Sequence, residues 1–124
     1  MLSFKKVIND LKPAVFFIQE TKMKNMGQIK IENYVIFEKL RNINENGGGL
    51  ALGCIQELKP VWVRESSEPI EALSIDIFVK NLKIRCCVSY GCQENDDITK
   101  KEAFWEYLDN EVIEAQKAGS GFII

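Results

Sequence analysis

Residues 71 to 90 carry the pattern that leaves the fewest options. Leu73, Ile75, Ile77 and Val79 alternate with Ser74, Asp76, Phe78 and Lys80. Leu82, Ile84, Cys86 and Val88 alternate with Lys83, Arg85, Cys87 and Ser89. A period of two is the signature of a strand with two different faces. A two-residue turn at Lys80-Asn81 predicts a hairpin that pairs Val79 with Leu82, Ile77 with Ile84, Ile75 with Cys86 and Leu73 with Val88. Every pair is apolar on apolar. A slip by one residue would put these rows on opposite faces, so the pattern specifies the register. The same register sets Glu71 opposite Tyr90, which ends the second strand.

A second apolar run, Ala14 to Ile18, follows Pro13 and stops at Gln19-Glu20-Thr21. It reads as a buried strand, apolar on both faces as an interior strand between covering layers must be. Glu20 stands at its carboxyl end. From position alone two readings of Glu20 are open: a hard-oxygen ligand for Mg²⁺, or a solvated strand-end charge. Ahead of this strand, Phe4, Val7, Ile8 and Leu11 recur at helical spacing. They predict a short amphipathic helix capped by Ser3 and stopped by Pro13. Behind it, residues 21 to 33 are polar and read as a loop. Lys22, Lys24 and Lys30 interleave there with Met23 and Met26. These lysines either approach a phosphate backbone or belong to a solvated loop.

Tyr34 to Phe37 predict a strand running toward Leu40. Asn46-Gly47 predicts a tight hairpin bend, and Leu50 to Cys54 the returning strand. Gly47-Gly48-Gly49 is no phosphate cradle of the P-loop kind, because no Lys-Ser or Lys-Thr follows. Val61-Trp62-Val63 is a short strand in which Trp62 belongs either to the core or to a groove. Gly91 to Asp97 is a polar loop, with Asp96 and Asp97 read as solvated charges. Thr99 to Glu102 reads as a capping box. The helix it opens buries Phe104, Leu108, Val112 and Ala115, with Trp105 and Tyr107 flanking, and stops at Gly119. Gly121 to Ile124 starts another buried strand. Helices feeding strands in this order predict an α/β (α+β) architecture.

At 124 residues the chain is long enough for a single domain with a real core. A net charge of -2 carries no overall signature of nucleic-acid binding, although a local basic patch is compatible with it. No signal peptide and no membrane-spanning run is visible. Cys54, Cys86, Cys87 and Cys92 form no metal-binding spacing, and the chain has no histidine. We read the cysteines as reduced apolar residues of an intracellular protein, in cytoplasm or nucleus. Cys86 and Cys87, as neighbours on a strand, are expected on opposite faces. The lack of histidine excludes His-dependent catalysis within these residues.

Gln19-Glu20-Thr21 after an apolar strand resembles the metal-ligand motif of the endonuclease/exonuclease/phosphatase superfamily. Gly47-Gly48-Gly49-Leu50-Ala51-Leu52 resembles the glycine-led strand that follows it there. The order helix, Gln-Glu-Thr strand, glycine-led strand, hairpin ending at Tyr90, capped helix and apolar strand is similar throughout. It is most similar to the endonuclease domains of non-LTR retrotransposons. The resemblance implies a four-layer α/β sandwich, with mixed, largely antiparallel sheets between outer helices. Residues 1 to 124 are then expected to be the first half of such a domain. It implies that Glu20 binds the catalytic Mg²⁺ or Mn²⁺ and that Tyr90 lies near the scissile phosphate. Lys22 and Lys24 are then candidate substrate contacts, and DNA is the substrate of the intact parent. The chain departs from the pattern at Cys92, where a proline often sits. It also lacks the family's early asparagine, its Gly-Asp-x-Asn motif and its general-base histidine.

One carboxylate holds Mg²⁺ weakly, and water attack on a phosphodiester needs a base as well as a metal. Weak metal binding and no turnover are therefore expected of these residues alone. An uncovered edge beside Ile123 and Ile124 is expected to favour self-association. Two other readings are a lipid, phosphoinositide or RNA phosphoesterase of the same superfamily, and a non-catalytic remnant serving as an interaction module.

Overall fold

The computed structural model describes residues 2–19, 29–39, 49–67, 70–90 and 97–123; the side chains of 2–5, 90 and 123 lie outside that description. Helix α1 spans Leu2–Leu11. Strands β1 (Val15–Gln19), β2 (Tyr34–Lys39), β3 (Leu50–Ile55) and β4 (Val61–Glu65) follow. After them come β5 (Glu71–Val79), β6 (Leu82–Tyr90), helix α2 (Ile98–Lys117) and β7 (Gly121–Ile123). Two sheets form, ordered β1-β3-β2 and β4-β5-β6-β7. Every pairing is antiparallel except β6 with β7, which is parallel.

The β5–β6 hairpin has the register that its alternation predicts, from Val79 opposite Leu82 to Glu71 opposite Tyr90. Lys80 turns the corner in the left-handed region, at φ 56°, as two-residue hairpins demand. Leu73, Ile75, Ile77 and Cys86 face the other sheet and meet Leu50, Leu52 and Cys54 of β3. The opposite face holds Ala72 and Cys87 against Phe104 and Leu108 of α2. Cys86 and Cys87 thus lie on opposite faces. Across the molecule, Ile8 of α1 packs with Ala51, Ile29 and Ile31 on the outer face of the first sheet. The result is four layers: helix, three-stranded sheet, four-stranded sheet, helix. No described helix is long and apolar enough to cross a membrane.

Several expectations need correction. Among the described residues, the run at Ala14 to Ile18 makes an edge strand and not an interior one: β1 pairs with β3 alone, and its Phe17 is 48% exposed. Its two faces are apolar because two layers touch them: Val15 meets the inter-sheet core, while Phe16 and Ile18 meet the α1 layer. Such a run reports the layers above and below, not the neighbours within the sheet. The interior strand is β3, buried from Leu50 to Cys54. Its Gly53 pairs with Phe16, and the ring of Phe16 occupies the space that a Cβ on Gly53 would need.

Residues 29 to 33 are not simply polar loop either, because Ile29 and Ile31 are core residues at 2% and 7% exposure. Ser3 lies inside α1, so it is no cap. Of the predicted α1 stripe, Ile8 is buried while Val7 and Leu11 are exposed. Asp97, not Thr99, caps α2: its carboxylate accepts the Lys100 amide at 2.8 Å. That amide is one of the orphan donors of the first turn, and a carboxylate satisfies it. The buried stripe of α2 runs Phe104, Leu108, Glu111 and Ala115, with a carboxylate where Val112 is expected. Gly119, at φ 71°, ends the helix as predicted. Ser120 donates to Ala115 O and Gly119 to Gln116 O, the paired bonds of a glycine-terminated helix. The predicted bend at Asn46-Gly47 lies outside the described residues.

Candidate functional site

One end of the sandwich gathers the carboxyl ends of β1, β2, β4 and β6. The registers place it there: Gln19 and Lys39 both lie opposite Leu50, Glu65 opposite Leu73, and Tyr90 opposite Glu71. Two side-chain links tie the sheets together at this end. Gln19 Nε2 donates to Ser89 O at 3.3 Å. Lys39 Nζ lies 3.5 Å from Glu65 Oε2, with the lysine side chain only 8% exposed. Glu38 and Glu71 are buried at this same end. Ser66 closes the connection from β4 to β5 by donating to Ile70 O at 2.6 Å and accepting the Ala72 amide at 2.9 Å.

The Gln19 contact follows from strand geometry. Val15, Phe17 and Gln19 share one face of β1. Val15 and Phe17 pair with Cys54 and Leu52 of the inter-sheet core, so Gln19 reaches toward the second sheet. It joins the last residue before Glu20 to the residue before Tyr90. The ends of the two strands that carry these candidates are thereby brought together. Glu20, Lys22 and Lys24 themselves lie outside the described residues, as do Cys92 and Asp96. Tyr90 closes β6, and its side chain lies outside them too. Among the described residues, no three carboxylate or thiol side chains converge as a metal site. As a letter of a motif Gln19 gives no hint of its bond to the Ser89 carbonyl. The alternation from Val15 was the signal for it.

A second polar constellation, also missed, lies between β4, β6 and α2. Arg85, 3% exposed, donates to Asp76 at 2.6 Å and to Glu111 at 2.7 Å. Arg64 pairs with Glu111 and, at 2.6 Å, with Glu114. Burial by itself would lower the pKa of each arginine. The hydrogen bonds and charges of the facing carboxylates outweigh it and hold both above the ordinary value. Beside them, Ser74 Oγ and Tyr107 OH lie 3.1 Å apart, and burial pushes the Tyr107 phenol up to about 12. These groups pair with one another beneath α2, with Arg85 and Glu111 buried and Arg64 and Glu114 part-exposed at the rim. They fasten α2 to the sheet.

A cavity of about 360 Å³ opens between β1 and β6, lined mainly by Val15, Phe17, Leu52, Cys86, Val88 and Ser89. Cys54, Cys86 and Cys87 are free and buried. Burial pushes the Cys54 and Cys86 thiols up to about 11 and raises Cys87 as well. The thiolate is the nucleophile, so all three are expected to resist iodoacetamide at pH 8 in the folded chain and to react in denaturant. Peptide mapping checks this, and rapid labelling of any of the three without denaturant would contradict it.

No family model matches this chain, and no curated protein does.

Proposed function

We propose that these residues belong to a divalent-metal-dependent phosphodiesterase of the endonuclease/exonuclease/phosphatase type, with DNA as the substrate of the intact parent. In this reading Glu20 is a metal ligand, Tyr90 contacts the scissile phosphate, and Lys22 and Lys24 approach the phosphate backbone. The observation that supports it is the hydrogen bond from Gln19 to Ser89 O. It couples the backbone beside Glu20 to the backbone beside Tyr90, as a site drawing on both would need. A bound Mg²⁺ or Mn²⁺ would supply charge stabilisation at a phosphoryl oxygen. The part these residues play is to position: Gln19 links the two strand ends, and the buried Lys39 pairs beside them with the half-exposed Glu65. A lone carboxylate holds Mg²⁺ weakly, so the chain by itself is expected to bind metal weakly and not to nick DNA.

The test is a Mn²⁺ titration of isotopically labelled chain, read by paramagnetic broadening of amide signals. Gln19, Glu20, Ser89 and Tyr90 are expected to broaden first, and Glu20→Gln to lose that effect. Broadening centred elsewhere, or undiminished in Glu20→Gln, would sink the assignment. So would metal-dependent nicking of supercoiled plasmid that survives Glu20→Gln.

A further inference from the structure

Helix α2 carries a second apolar stripe. Its inner stripe packs Phe104 and Leu108 on the four-stranded sheet. On the opposite side Ile98, Trp105 and Ile113 are 72%, 61% and 47% exposed. Glu102 and Asp109 stand between them, exposed as well. Spacings of four, seven, eleven and fifteen residues from Ile98 put all five on one line along the helix. The line is about 22 Å long by the rise of an α-helix. Together with Glu106 these residues line a groove along the helix surface. Apolar side chains scattered singly on a surface mean little, whereas a contiguous patch rimmed by polar groups marks an interaction site. Trp105 is also braced: its ring meets that of buried Phe104 edge-on, with centroids 5.3 Å apart. An anchor held by the core loses little freedom on binding.

The charges along the groove select what fits it. Glu102, Glu106 and Asp109 line it against one basic residue, Lys101. A phosphate backbone or an anionic membrane would meet these carboxylates and be repelled. A second copy of the chain would add the same carboxylates to the seam, where like charges destabilise. We propose that the outer face of α2 docks a basic amphipathic helix of a partner protein. The partner's apolar stripe lies against Ile98, Trp105 and Ile113, and its lysines or arginines lie opposite Glu102, Glu106 and Asp109. Such a face has the pattern of a helical seam, with apolar residues for affinity and charge for the choice of partner. Trp105 is the anchor, because an indole offers a large apolar area and a face that attracts cations. A single helix on this line buries less than the roughly 1,200 Å² at which stable interfaces begin, so the complex is weak and sensitive to salt. The proposal is independent of the phosphodiesterase reading.

The test is calorimetric titration with a synthetic amphipathic helix of leucine and lysine, and with its counterpart of leucine and glutamate. Saturable binding of the lysine peptide is expected, with a dissociation constant in the micromolar range. It should weaken about tenfold or more in Trp105→Ala and in the double variant Glu106→Lys/Asp109→Lys. Asp10→Lys/Glu57→Lys makes the same change in net charge at exposed sites elsewhere and should leave the affinity unchanged. In Trp62→Phe, where Trp105 is the remaining tryptophan, the lysine peptide should shift the fluorescence to the blue. Circular dichroism reports whether each variant is folded. Absence of saturable binding overturns the proposal, as does equal binding of the glutamate peptide. So does a complex that survives in folded Trp105→Ala or folded Glu106→Lys/Asp109→Lys. An equal loss in Asp10→Lys/Glu57→Lys would reduce the attraction to net charge and overturn it too. A dimer seen by sedimentation velocity and dissolved by Trp105→Ala would assign the face to a second copy instead.

Discussion

Arg85→Ala is expected to lower the stability of the fold by about 3–5 kcal/mol, the usual cost of removing one member of a buried ion pair. The guanidinium is the only described partner that bridges Asp76 and Glu111 at hydrogen-bond distance, and both carboxylates are buried. Without it, among the described residues, Asp76 keeps Lys83, 3.5 Å away, and Glu111 keeps Arg64 as cationic partners. The loss is mainly the penalty of leaving buried charge under-compensated, not the net worth of the pair. Replacing Arg85, Asp76 and Glu111 together with apolar residues of similar size should therefore recover much of it. Urea unfolding of the single and triple variants decides the point, and a single-variant loss below about 1 kcal/mol would refute this account.

The same network sets an acid limit. Burial by itself would raise the Glu114 carboxyl; the hydrogen bond and charge of Arg64, then those of Arg85, outweigh it and hold the carboxyl below its ordinary 4.5. A carboxyl whose folded pKa is depressed stabilises the fold above its unfolded value and loses that contribution as pH falls through the folded one. The melting temperature should thus drop on acidification below pH 4.5. Glu114→Gln should make that slope shallower.

Ile75→Ala is expected to cost about 2–5 kcal/mol. Ile75 is 0% exposed, lies opposite Cys86 and Trp62, and packs between the sheets with Leu52 and Leu73. Truncation removes buried surface and leaves a hole that two stiff sheets cannot close. Leu82→Ala, at a 50% exposed position on the neighbouring strand, should change stability by no more than about 0.5 kcal/mol. Equal effects at the two sites would mean that the inter-sheet core is not where the stability resides.

Much of this was legible in the amino-acid sequence, wherever local pattern and physical constraint coincide. The β5–β6 register was readable because one face had to be apolar throughout and a slip of one residue would have inverted it. The stop of α2 at Gly119 was readable because a left-handed residue favours glycine. The opposite faces of Cys86 and Cys87 follow from the pleat. Other features depended on what lies across space. Both faces of β1 are apolar, which revealed its covering layers but not its place in the sheet, beside β3. Ile29 and Ile31 looked like loop because their isolated side chains show no period; they are core because α1 and β3 meet there. Glu111 sits where periodicity expects an apolar residue, since Arg64 and Arg85, distant in sequence, present charge at that spot. Gln19 became a tether only when β6 brought the Ser89 carbonyl within reach of its amide. Periodicity along a chain records which side of an element is covered. Which element does the covering, and whether it brings charge or hydrocarbon, is decided only by the tertiary fold, because those partners come from residues far apart in the chain.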